Sequence, residues 1–100
     1  MSESIKRVNL RMITKSLAAA TVVQLLPANP LREYLMLQVT NTNPASFSSD
    51  DMGGGISLDG ASAAGGQGGA MIWDGFDGSV PIGPVYAVSA AGTTVVAVEG

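Results

Sequence analysis

The sequence predicts an all-β fold: a small antiparallel β-sandwich or jelly-roll-like barrel of about seven strands. Three observations lead there. Short runs rich in Val, Leu, Ile and Thr alternate in side-chain character with the period of a pleated strand, most clearly over Glu33–Asn41. Gly and Pro signals such as Pro27-Ala28-Asn29-Pro30, Asp59-Gly60 and Ala91-Gly92 separate those runs. The chain has 100 residues, 46% of them hydrophobic, which is the size of one domain with one thin core.

Each element follows in chain order. Val8, Leu10 and Met12 alternate with Arg7, Asn9 and Arg11, as in an edge or half-buried strand, and Thr14-Lys15-Ser16 reads as a turn. Ala20 to Leu26 is β-branched at Thr21, Val22 and Val23 and stops at Pro27, which favours a strand. Leu17 to Ala20 are good helix formers, so a helix over Ser16 to Leu26 is the competing reading. In the strand over Glu33–Asn41, Leu35, Leu37 and Val39 share one side and Tyr34, Met36, Gln38 and Thr40 the other. Asn41 to Asp51 reads as a polar loop holding Phe47.

Ile56 to Leu58 is a short strand inside a Gly-rich stretch, and Ala61 to Gly69 has the composition of an exposed, flexible loop tip. Ala70 to Trp73 is a strand, followed by turns at Asp74-Gly75 and Asp77-Gly78. Val85 to Ala90 and Thr94 to Val98 read as an antiparallel hairpin around Ala91-Gly92-Thr93. The expected core is Leu35, Leu37, Val39, Ile72, Val88, Val96 and Val98.

Charge divides the chain unevenly. All five basic residues, Lys6, Arg7, Arg11, Lys15 and Arg32, lie in the first third, where only Glu3 is acidic, a net +4. Seven carboxylates follow with no further cation, a net −7, and the two sum to the total of −3. This divides the chain into residues 1–15, a basic N-terminal arm or edge strand, and residues 16–100, a single β-sandwich domain. Lys6, Arg7, Arg11 and Lys15 are candidate partner-binding residues, suited to an acidic protein patch. A basic arm could also contact phosphates, but the acidic body speaks against nucleic acid. Trp73, beside Asp74-Gly75, is the candidate aromatic anchor at an interface.

The chain has no Cys and no His, which excludes disulfides, thiolate nucleophiles, His general bases and Cys/His zinc sites. Gly53-Gly54-Gly55 and Gly65-Gly66-Gln67-Gly68-Gly69 lack the Lys that a phosphate-binding loop needs. Asp50, Asp51, Asp59, Asp74 and Asp77 match no calcium-loop spacing and read as turn residues. No apolar stretch reaches membrane-spanning length. The expectation is a non-enzyme without cofactor or metal, binding neither nucleic acid nor membrane.

Three stretches, in this order, carry a family resemblance: Leu25-Leu26-Pro27-Ala28-Asn29-Pro30-Leu31-Arg32-Glu33-Tyr34-Leu35-Met36-Leu37-Gln38, then Gly55-Ile56-Ser57-Leu58, then Val80 to Gly100 with Val85-Tyr86-Ala87-Val88-Ser89-Ala90-Ala91-Gly92-Thr93 at its heart. They resemble small virion proteins of tailed bacteriophages. In those, a strand of the pattern ANP-x-R-x-Y-L opens the sheet and a hairpin ending in Glu-Gly closes the chain. The chain departs from that pattern at Asn41-Thr42-Asn43-Pro44 and in its long Gly-rich segment. The resemblance implies a head decoration (cement) protein on the capsid surface. Its partner would be the major capsid protein or another virion protein, and it would act as a homo-oligomer, a trimer or dimer. The alternatives are a phage tail, neck or fibre component, or a carbohydrate-binding β-sandwich with Trp73 and Tyr86 as its sugar platform.

Overall fold

The computed structural model describes residues 10–49, 55–63, 65–74 and 80–100. It is all-β. Its strands are β1 (Arg11–Leu17), β2 (Val23–Leu26), β3 (Tyr34–Val39), β4 (Ala45–Ser48), β5 (Ile56–Leu58), β6 (Ala70–Asp74), β7 (Val85–Val88) and β8 (Thr93–Glu99). They form two four-stranded antiparallel sheets, ordered β1-β8-β3-β6 and β2-β7-β4-β5. The pairs β1:β8, β2:β7, β3:β6 and β4:β5 are those of one long hairpin folded at the β4–β5 connection. The further pairs β3:β8 and β4:β7 wrap that hairpin into two layers. This is jelly-roll topology.

Alternation sets the core. Leu35, Leu37 and Val39 on β3, Val95 and Ala97 on β8, Phe47 on β4, and Val85 and Ala87 on β7 are buried. They join Leu17, Leu25, Leu26, Ala45 and Leu58 in a single cluster between the sheets. Both Leu25 and Leu26 reach that cluster because the β2:β7 register slips between Gln24 and Leu26, a bulge that turns two successive side chains inward.

Five local expectations are corrected. First, Thr14-Lys15-Ser16 is not a turn: it lies within β1, paired in unbroken register from Arg11↔Glu99 to Leu17↔Thr93. Second, strand β2 begins at Val23 rather than Ala20, and no helix competes with it. Third, Phe47 sits on a strand, β4, with its ring 1% exposed; an apolar aromatic in a polar stretch marks a short strand with one face inside.

Fourth, β7 and β8 are not a hairpin. They lie in different sheets, and the chain between them arches from one layer to the other. That arch is tied down locally: Ser89 Oγ donates to the Pro44 carbonyl at 2.8 Å, and the Ala20 amide donates to the Ser89 carbonyl at 2.7 Å. The Asn43 side-chain amide donates to the Gly92 carbonyl at 2.8 Å.

Fifth, the loop over 61–69 is not a free tip. The Ala61 and Gly65 amides donate to the Asn41 and Thr40 carbonyls, and Gly68 and Gly69 exchange hydrogen bonds with Val39 and Asp59. Ala61 is buried, and a Cβ at Gly68 would lie 2.6 Å from the Val39 carbonyl oxygen. Small residues here serve close backbone approach.

The expected core needs a matching correction. Leu35, Leu37 and Val39 are inside, whereas Ile72 is exposed and Val88, Val96 and Val98 face outward, half-buried. In Val95-Val96-Ala97-Val98 both faces are apolar, so alternation could not choose between them. The small Ala97 is the inner residue, 1% exposed, in the cluster between the sheets. The turns expected at Asp74-Gly75 and Asp77-Gly78 lie, beyond Asp74, outside the described residues.

Candidate functional site

The ANP-x-R-x-Y-L stretch and the Glu-Gly end meet in three dimensions. Arg32 is 4% exposed, and Glu99, the last residue of β8, is 3% exposed. Arg32 Nε donates to Glu99 Oε1 at 2.9 Å, and Nη2 to the Pro27 carbonyl at 2.9 Å. Nη1 reaches the carbonyls of Pro81 at 2.7 Å and Gly83 at 3.0 Å. The Asn29 side chain donates to the same Glu99 oxygen at 3.3 Å. One guanidinium thus fastens the β2–β3 connection, the 80–84 segment and the end of β8. This is a structural clamp: four of its five N–H donors are spent on the fold, and its side chain is 0% exposed. Sequence reasoning counted Arg32 only as one more basic residue. Its place between Pro30 and a strand was the signal that it closes a connection.

The candidate partner-binding residues fall in three places. Lys6 and Arg7 lie outside the described residues. Arg11 and Lys15 are on β1, the edge strand, at register positions opposite Glu99 and Val95, so they emerge along the seam beside β1. Arg11 approaches Glu99 Oε2 at 3.9 Å with most of its side chain in solvent, which spends part of its charge within the fold. Lys15 is exposed and has no ion pair among the described residues. Trp73 lies opposite Leu35 and packs against the core from β6, so it is not an exposed anchor. Tyr86 belongs to the other sheet, opposite Ser48 and Gln24, so Trp73 and Tyr86 do not form a common platform.

The feature that sequence reasoning missed is the outer face of β1-β8-β3-β6. Registers place Met12, Val98, Met36 and Ile72 directly opposite one another in one row across all four strands. Met12 is 70% and Ile72 55% exposed, and Leu10, 56% exposed, extends the patch at the β1 end. Val96 and Tyr34 add apolar surface on the same face. The one charged residue these strands place on that face is Asp74, at its β6 corner. The signal was present: Met12, Met36, Ile72 and Val98 are the outward members of their strands, but parity must be known before they can be told from core.

Among the described residues, no group of three or more His, Cys, Asp or Glu side chains is placed to hold a metal ion. The described residues also contain no helix long and apolar enough to cross a membrane. No protein-family model, curated protein or solved structure matches the chain.

Proposed function

We propose that the chain is a structural protein of a bacteriophage particle that decorates and stabilises the capsid, docking through the outer face of β1-β8-β3-β6. The observation that carries this reading is the row Met12–Val98–Met36–Ile72 on an almost uncharged sheet face. Four strands at ~4.8 Å spacing, five to seven residues long at ~3.4 Å each, give a whole face of roughly 400 Å², which the apolar row shares with Thr14, Ser16, Gln38, Thr94 and Asp74. It is about half of the ~800 Å² that a standard interface takes from each partner, so a lone face holds a partner weakly. A repeated shell supplies what the face lacks, through contacts at its rim and through repetition of the contact over the particle.

The edge of the sheet at β1 supplies that rim. Arg11 and Lys15 are exposed there, on the parity of β1 opposite to that of Met12, where a shell with acidic patches would meet them. The resemblance of Leu25–Gln38 and Val80–Gly100 to small virion proteins of tailed phages points the same way. The clamp of Arg32 on Glu99 gives those resembling residues a role in the fold. The partner in this reading is the major capsid protein or another virion protein, with the chain acting as a homo-oligomer.

The test is binding of the purified chain to heads stripped of accessory proteins. Saturable occupancy is expected. It should weaken only in part at 1 M salt, where the Debye length falls from about 8 Å to about 3 Å and removes the rim charges but not the apolar contact. Absence of binding to heads of the cognate phage overturns the reading.

A further inference from the structure

The two sheets end in the edge strands β1 and β6, and β2 and β5, and all but β6 are blunted. Strand β5 is 3 residues long. Strand β2 carries the bulge between Gln24 and Leu26 and runs into Pro27. On β1, Arg11 and Lys15 share the parity of the buried Leu17, so that edge carries charge on the side that meets the core. Short strands, bulges, prolines and inward charges are what keep sheet edges from pairing. Strand β6 has a charge only at its end, Asp74. Its register with β3 is unbroken from Tyr34↔Asp74 to Gln38↔Ala70, through Trp73, Ile72 and Met71. Met71 is 40% and Ile72 55% exposed.

We propose that β6 is a self-association edge: two copies of the chain pair β6 to β6, antiparallel, about a two-fold axis at Ile72. The Val39 amide donates to the Gly69 carbonyl at 3.1 Å. Ladder bonds recur at every second residue, so Met71 and Trp73 turn their amides and carbonyls to β3. Ile72 turns its own outward, and among the described residues no strand lies beyond β6. With the axis at Ile72, that residue exchanges both bonds with Ile72 of the second copy. Met71 then stands opposite Trp73 of the second copy, a thioether against an aromatic ring. Asp74 stands opposite Ala70, so no like charges meet. Two copies of β1 would instead bring Arg11 and Lys15 together, with no carboxylate on either strand.

A second copy is the occupant because it supplies what the face of β1-β8-β3-β6 lacks. Pairing at β6 joins two rows end to end, so Met12–Val98–Met36–Ile72 continues into Ile72–Met36–Val98–Met12 of the second copy. The joined face is twice the roughly 400 Å² of one copy, which reaches the ~800 Å² that a standard interface takes from each partner. The pairing is isologous and closes on itself, leaving a charged β1 at each end of the joined sheet. The inference rests on the proposed reading for the use of a doubled face. Its test reads self-association with no capsid present, so the two can fail separately.

The experiment is analytical ultracentrifugation of the full chain, with circular dichroism to establish that each variant is folded. Wild type should sediment as a dimer. Ile72→Pro removes an amide that points away from β3, so it spares the ladder within the sheet. Met71→Lys charges the edge on the parity opposite to the docking row. Each should dimerise at least tenfold more weakly, while Met12→Lys, at the far end of the row, should remain dimeric. If Ile72→Pro fails to fold, Met71→Lys carries the expectation alone. The chain has no Cys, so single cysteines can locate the axis. Under a mild oxidant Ile72→Cys should give a disulfide-linked dimer, since Cα atoms ~5.5 Å apart are within disulfide reach, and Lys15→Cys should not. A monomeric wild type, a trimer, a dimer unaffected by the folded Met71→Lys, or cross-linking of Lys15→Cys in preference to Ile72→Cys would overturn the proposal. A wild-type monomer that still binds stripped heads would overturn it and leave the decoration reading standing.

Discussion

Arg32 shows how one residue can carry a disproportionate share of a small fold. Its guanidinium is removed from water and satisfied by one carboxylate and three carbonyls drawn from three chain segments. Arg32→Ala leaves the buried Glu99 carboxylate with only the largely exposed Arg11, 3.9 Å away, as its cation, and three carbonyls without their donor. Breaking one side of such a pair costs about 3–5 kcal/mol. Urea unfolding should show a loss in that range, whereas a loss within about 0.5 kcal/mol would place the clamp in solvent. Thr93 offers the opposite sign. Its Oγ1 is buried on the inner side of β8 and has no hydrogen-bond partner among the described residues. Desolvating a hydroxyl without a partner costs roughly 1–3 kcal/mol. Thr93→Val keeps the shape and removes that cost, so the midpoint of unfolding should rise.

At the scale of elements, the loop over 61–69 is built on close approach. Gly68→Ala would set a methyl group 2.6 Å from the Val39 carbonyl oxygen, a backbone atom that cannot step aside cheaply. Overpacking of this kind costs typically ~1–3 kcal/mol, and the loss should appear in thermal melts. Short insertions between Ala61 and Gly68 should also lower soluble yield, because they displace the hydrogen bonds to Thr40 and Asn41. Leu37→Ala, at a position with 0% exposure, should cost roughly 2–5 kcal/mol.

These elements also show what the sequence could and could not convey. Strand β3 was legible, because Leu35, Leu37 and Val39 alternate with Tyr34, Met36 and Gln38, and only one parity buries a leucine pair. Strand β8 was legible as a strand but not in its facing, since Val96 and Val98 are as apolar as Val95. Its partner was misread for a related reason. A four-residue connection containing glycine serves equally for a hairpin within one sheet and for an arch between two. Only the sheet order, fixed by long-range pairs such as Leu37↔Ala97 and Phe47↔Ala87, separates the alternatives. The apolar row Met12–Val98–Met36–Ile72 was hidden behind the same ambiguity of parity.

For the whole molecule, the two outer faces differ in chemistry. The β1-β8-β3-β6 face carries the apolar row Met12–Val98–Met36–Ile72, and the β2-β7-β4-β5 face carries serines, a tyrosine and a groove. A small sandwich with a thin core gains stability when a partner binds only its folded form. An outward Met or Ile contributes little to the isolated fold, so its replacement should alter association and leave folding nearly unchanged. The most direct measurement compares binding to stripped phage heads for the wild-type chain, for Met12→Lys/Ile72→Lys, and for Ser48→Lys/Ser57→Lys on the opposite layer. The account predicts at least a tenfold loss of affinity for Met12→Lys/Ile72→Lys with stability within about 0.5 kcal/mol of wild type, and retained binding for Ser48→Lys/Ser57→Lys. Undiminished binding of the folded Met12→Lys/Ile72→Lys chain would contradict it.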